Sequence, residues 1–66
     1  MNRDLAYAFL SLRLSQKRGI RKEMGFGERY AHETDVEYDK RFLTYVHHEG
    51  KIRTLEQLVD EYEKQN

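Results

Sequence analysis

The chain has 66 residues with 12 Lys or Arg, 12 Asp or Glu, no Cys, no Trp and no Pro, and its formal net charge is zero. Without Cys it has no disulfide and no thiolate zinc site, and it carries no run of about 18 apolar residues that would read as a membrane span. The zero balance hides a split: residues 1–30 hold seven Lys or Arg against three Asp or Glu, a balance of +4, whereas residues 31–66 hold five against nine, a balance of −4. A chain this short forms one domain and buries only about 60% of its unfolded surface, so its stability is marginal. With disulfides excluded, the expected reinforcement is a partner, either a second copy or another protein.

The spacing predicts a first helix over about 4–18, running as far as 24 if Gly19 does not end it. Leu5, Ala8, Phe9 and Leu12 follow i, i+3, i+4, i+7. Asn2 is placed to cap the start, and Asp4 suits the positive first turn. Ala6, Ala8, Leu10, Leu12 and Leu14 also alternate with the period of a strand. Composition favours the helix, because the stretch is Ala, Leu and Arg without a β-branched residue. Such a helix is apolar on two faces, Leu5/Phe9/Leu12 and Leu10/Leu14 with Tyr7. It is expected to be central or shared, which makes Leu5, Phe9, Leu10, Leu12 and Leu14 candidates for a dimer core. It does not read as a signal peptide: Arg13 interrupts it, Asp4 precedes it and no small-residue cleavage site follows. The chain is therefore expected to be cytoplasmic and, beginning at Met1, to be a complete short reading frame.

Gly25-Phe26-Gly27 marks a break, and 25–34 is predicted as a loop with a helical turn at Glu28 to Ala31. The second helix is predicted over about 35–49. Thr34 and Glu37 fit a capping box, Val36, Tyr38, Phe42, Leu43, Tyr45 and Val46 form the apolar face, and Gly50 stands at a left-handed C-terminal cap. The third helix is predicted over about 55–65, capped by Thr54, with Leu55, Leu58, Val59 and Tyr62 as its stripe. A link of about five residues predicts that helices two and three form an antiparallel hairpin. The expected fold is an all-α, small three-helix domain of residues 1–66, dimeric through helix one.

Two charged faces stand out. Arg13, Lys17, Arg18, Arg21, Lys22 and Arg29 form a basic face, and Arg13, Lys17 and Arg21 align at four-residue spacing. Such a stripe neutralises phosphates or docks on an acidic protein; cations also simply suit the negative end of a helix. Glu56, Asp60 and Glu63 form an acidic face on helix three that local helix physics disfavours, so it is expected to meet a partner or the basic stripe. Phe26 and Tyr30 in the loop are interface anchors flanked by Arg29, or else lids over the small core.

The segment LRLSQKRGIRKEMGF, residues 12–26, resembles the opening of a phage-repressor helix-turn-helix. The resemblance implies DNA binding, but Arg21 stands where that family has a small residue at the helix crossing. Helices two and three also have the lengths of such a motif, yet the acidic third helix would meet the phosphates.

Catalysis lacks its parts. There is no cysteine nucleophile, no Gly-x-Ser-x-Gly turn and no Gly-rich phosphate loop with a following Lys. His47 and His48 point about 100° apart on a helix, so with His32 and Glu33 they do not make a metal site from one face. No cofactor and no metal are expected. The expected function is a small non-catalytic protein-interaction or regulatory protein, an adaptor or inhibitor of the kind that phages and other mobile elements encode, binding a protein partner. Alternatives are a nucleic-acid-binding regulator using residues 13–29 and a self-assembling structural subunit.

Overall fold

A computed structural model describes residues 4–65. It contains four helices among the described residues: α1 (Leu5–Leu10), α2 (Leu14–Glu23), α3 (Asp35–His48) and α4 (Ile52–Glu63). The all-α expectation holds, with no strand among the described residues. The single first helix does not: it is two helices. Asp4 is the N-cap of α1, its carboxylate accepting from the Tyr7 N–H at 3.0 Å; the expected cap Asn2 lies outside the described residues. After six residues the Leu12 N–H turns back to the Phe9 carbonyl at 3.1 Å, and Arg13 adopts an extended conformation before α2 begins. The Gln16 side chain then accepts from the Arg13 N–H at 3.1 Å and satisfies one donor of the new helix start.

Core packing accounts for the break. Phe9 and Ile20 are both fully buried in one cluster with Leu12, Phe42, Val46, Leu55 and Val59. A continuous helix would set Phe9 and Ile20 about 16 Å apart along its axis. Interrupting it at 11–13 lets α1, α2 and Leu12 itself feed the same cluster. Burying each large side chain there contributes about 1.5–3 kcal/mol. Phe9 and Leu12 are thus core residues of a single chain rather than a dimer core, and Leu5 packs half-buried against them. Leu10 and Leu14 remain exposed.

Gly19 does not end α2; it lies within it, because Tyr62 of α4 crosses there. A Cβ at this position would stand 2.7 Å from the Tyr62 hydroxyl oxygen. Gln16 adds a second tie between these helices, donating from Nε2 to the Tyr62 carbonyl at 2.9 Å.

Both α2 and α3 end in the same paired turn. After α2, Gly25 takes φ 71°, with Phe26 N–H to the Arg21 carbonyl at 2.9 Å and Gly25 N–H to the Lys22 carbonyl at 3.0 Å. After α3, Gly50 takes φ 69°, with Lys51 N–H to the Val46 carbonyl at 2.8 Å and Gly50 N–H to the His47 carbonyl at 3.2 Å. Positive φ without a side-chain clash is what glycine supplies at both sites. The first turn returns Phe26 to the core, its ring 5.1 Å from Phe42 and 4.9 Å from Tyr45. The second delivers the chain straight into α4, where the Lys51 carbonyl accepts from the Leu55 N–H at 3.1 Å. Helix α4 therefore starts three residues before the predicted position, and Thr54 lies inside it instead of capping it.

Helix α3 matches its predicted start. Thr34 Oγ1 accepts from the Glu37 N–H at 3.1 Å, and Glu37 Oε1 accepts from the Thr34 N–H at 2.8 Å. The predicted helical turn at Glu28 to Ala31 is absent; the loop instead turns at Tyr30–Glu33, closed by the Glu33 N–H to the Tyr30 carbonyl at 3.1 Å. Helices α3 and α4 touch across a link of residues 49–51, and α4 also packs on α1 and α2.

Candidate binding face

The basic stretch divides into an inner and an outer set. Lys17 and Arg21, four residues apart, both turn toward α3 and meet one carboxylate. Lys17 Nζ lies 2.8 Å from Asp39 Oδ2, and Arg21 Nη1 lies 2.9 Å from Asp39 Oδ1. All three residues are buried, with Asp39 only 5% exposed. The expectation that Lys17 and Arg21 stand on an exposed partner-binding stripe is corrected by their burial: both turn inward and share Asp39, which offsets one of their two charges. A charge moved out of water demands a partner, and Asp39 is it.

The accounting is uneven: two cations share one anion. The Arg21 guanidinium also lies over the Tyr38 ring at 4.2 Å, and the Tyr38 hydroxyl donates to the Gly27 carbonyl at 2.7 Å. The Arg21 Nε–H is buried without an acceptor. Leaving such a donor unpaired costs about 1–3 kcal/mol.

Arg18 and Lys22 stand one position further on, turned about 100° around the helix, and are exposed. With Arg21, Phe26, Glu28 and Tyr38 they line a cavity of about 100 Å³. A second recess of about 260 Å³ shares Arg18, Arg21, Glu28 and Tyr38 and adds Leu14, Arg29 and Asp35. Arg29 is partly committed to its own loop. Its Nη1 donates to the Tyr30 carbonyl at 3.3 Å and to the Glu33 carbonyl, and its Nε lies 3.9 Å from Asp35 Oδ1. Arg13 is exposed at the N-cap of α2.

The wall opposite α2 is held by a latch. Arg41 of α3 grips Glu33 with Nε to Oε2 at 2.7 Å and Nη2 to Oε1 at 2.9 Å, and reaches the Glu28 carbonyl at 3.2 Å. Its guanidinium covers the Tyr30 ring at 3.9 Å and the Phe26 ring at 4.9 Å. The Arg41 hydrogen bond, followed by the Tyr30 N–H, holds the Glu33 carboxyl below its ordinary value of 4.5, and Glu33 in turn raises Arg41. Phe26 is accordingly a lid over the core and not an exposed anchor. Tyr30 stays 63% exposed beside Arg41.

On α4, Glu56 and Asp60 are half-buried and Glu63 is exposed. They do not supply the anion for Lys17 and Arg21, and Asp60 and Glu63 interact with other groups. Tyr62 donates its hydroxyl to Glu23, which raises its pKa above the ordinary 10.0. The three histidines are exposed.

Sequence reasoning missed Asp39 and the Arg41–Glu33 latch. Asp39 was readable: it shares the 39, 42, 46 spacing of Phe42 and Val46, and an acid on an apolar stripe calls for a buried cation. The latch spans a loop and α3, and no periodicity announces it. No protein-family model matches the chain, and no curated protein or solved structure matches it either.

Proposed function

We propose that this chain is a small non-catalytic interaction protein, an adaptor or inhibitor working in the cytoplasm, that docks an acidic protein partner on the face between α2 and residues 28–38. One observation carries the reading. With Lys17 and Arg21 buried against Asp39, the remaining cations Arg18, Lys22 and Arg29 line two recesses that share Arg18, Arg21, Glu28 and Tyr38, Lys22 in the smaller and Arg29 in the larger, where Leu14 is left 66% exposed. A polar rim with an apolar contact and a positive field fits an interface that steers an acidic partner. Glu28 and Asp35 interrupt the recess, a mixed pattern that suits a protein surface better than a continuous phosphate backbone. Among the described residues no helix is long and apolar enough to cross a membrane.

Self-association is the second reading, favoured by Leu10 and Leu14, which stay exposed although both are large and apolar. Affinity capture with the wild type and with an Arg18→Glu/Lys22→Glu/Arg29→Glu variant tests the docking face. A protein held by the wild type and lost by the variant supports it. Equal capture by both refutes it, as does duplex-DNA binding that falls steeply with salt, which would favour the nucleic-acid alternative. Sedimentation of the free chain at micromolar concentration reads self-association directly.

A further inference from the structure

We propose that the cavity lined by Arg18, Arg21 and Lys22 is a receptor for a phosphoryl monoester carried by the protein partner. The inference rests on the docking face above and names the group it recognises. Three side chains bring positive charge to the cavity, and Glu28 brings one negative charge. Lys17 and Asp39 offset each other behind it, so the cavity is left with an excess of two positive charges. A phosphoryl monoester carries about −1.5 to −2 at neutral pH, whereas a carboxylate carries one charge and matches only half of the excess.

Arg21 is the built part of the site. It is 9% exposed and fixed from two sides, by the Asp39 carboxylate at 2.9 Å and by the Tyr38 ring at 4.2 Å. It is among the residues that line the cavity, and its Nε–H, buried from solvent, has no acceptor among the described residues and so reports on the guanidinium's surroundings. Arg18 and Lys22 line the same cavity and are exposed to solvent. A fixed guanidinium beside exposed cations matches the fork geometry and point charge that phosphate recognition uses. The volume of about 100 Å³ suits a single compact anion.

The test uses the isolated ¹⁵N-labelled chain, with the Arg21 Nε–H resonance as the readout and inorganic phosphate as the probe at constant ionic strength. Saturable movement in phosphate, absent in acetate, is expected. A phosphoserine peptide should reproduce it, and generic duplex DNA at physiological salt should not. Arg18→Ala/Lys22→Ala should weaken phosphate at least about tenfold. Glu28→Gln should tighten it, a change that a failure to fold would not mimic. Movement that is linear in phosphate or equalled by acetate would overturn the proposal. So would a stronger response to duplex DNA than to phosphate. Because this titration contains no partner, its failure would leave the docking face standing, and loss of partner capture would leave the titration standing.

Discussion

Helix α2 carries two pairs of cations with the same spacing and opposite roles. Lys17 and Arg21 face α3 and share Asp39; Arg18 and Lys22, about 100° away, face solvent around a cavity. The chemistry of the side chains is alike, so rotation about the helix axis alone separates a pair buried against Asp39 from a pair exposed to solvent. Positive charge counted along a sequence is therefore not positive surface, and here half of the α2 charge is internal.

Removing the anion of the inner pair should have the largest effect. Asp39→Ala leaves Lys17 and Arg21 buried without a counter-charge, at a cost of about 3–5 kcal/mol. At about 0.05–0.15 kcal/mol per residue, that rivals the whole stability of a domain this size. Urea unfolding followed by circular dichroism should show little or no folded baseline. The triple variant Lys17→Met/Arg21→Met/Asp39→Leu should regain cooperative unfolding, since an apolar set of similar volume replaces the ion cluster. An unaltered Asp39→Ala variant would erase the distinction between the two pairs.

The far side of α2 gives a smaller test of what fixes its rotation. Gly19→Ala improves helix propensity by about 1 kcal/mol but drives a methyl group into Tyr62. The substitution should raise the unfolding midpoint in a Tyr62→Ala background and fail to raise it in the wild type. Equal gains in both would mean that Tyr62 does not set the helix spacing.

Across the recess, the Arg41–Glu33 latch should respond to acid. The Glu33 pKa is lowered on folding, so its contribution is complete above about 4.5 and is lost as pH falls through the depressed folded value. The Tyr30 amide proton, which donates to Glu33 Oε1, should titrate with a midpoint below 4.5. Arg41→Ala should return that midpoint toward the ordinary carboxylate value and speed amide exchange in residues 26–34 by about tenfold. The smallest effect belongs to the outer pair: Arg18→Ala/Lys22→Ala should change stability by no more than about 0.5 kcal/mol.

The sequence is legible where the chain acts locally. The Thr34/Glu37 box, Gly50 and the Gly25 break are satisfied by residues within four positions, and all appear as expected. The interruption at 11–13 was not legible, because Leu5 to Leu14 has no breaker and the chain bends there to bring Phe9 and Ile20 into one core. Gly19 misled for the same reason: its role is set by Tyr62, 43 positions away. In the site, the right residue types were found in α2, but their division needed Asp39, which lies 22 positions from Lys17. For Phe26 the sequence leaves an interface anchor and a lid over the core both open, and the turn closed on the Arg21 and Lys22 carbonyls decides for the lid.

The division of α2 is tested most directly by thermal unfolding of Lys17→Ala and Lys22→Ala side by side. Losing a buried, charge-assisted hydrogen bond costs about 1.5–3 kcal/mol, and 1 kcal/mol moves the midpoint of a domain this small by about 4–8 °C. Lys17→Ala should therefore lower the midpoint by about 6 °C or more, and Lys22→Ala should move it by less than about 4 °C. Equal shifts, or a larger loss at Lys22, would contradict the assignment of an inner pair that holds the fold and an outer pair that does not.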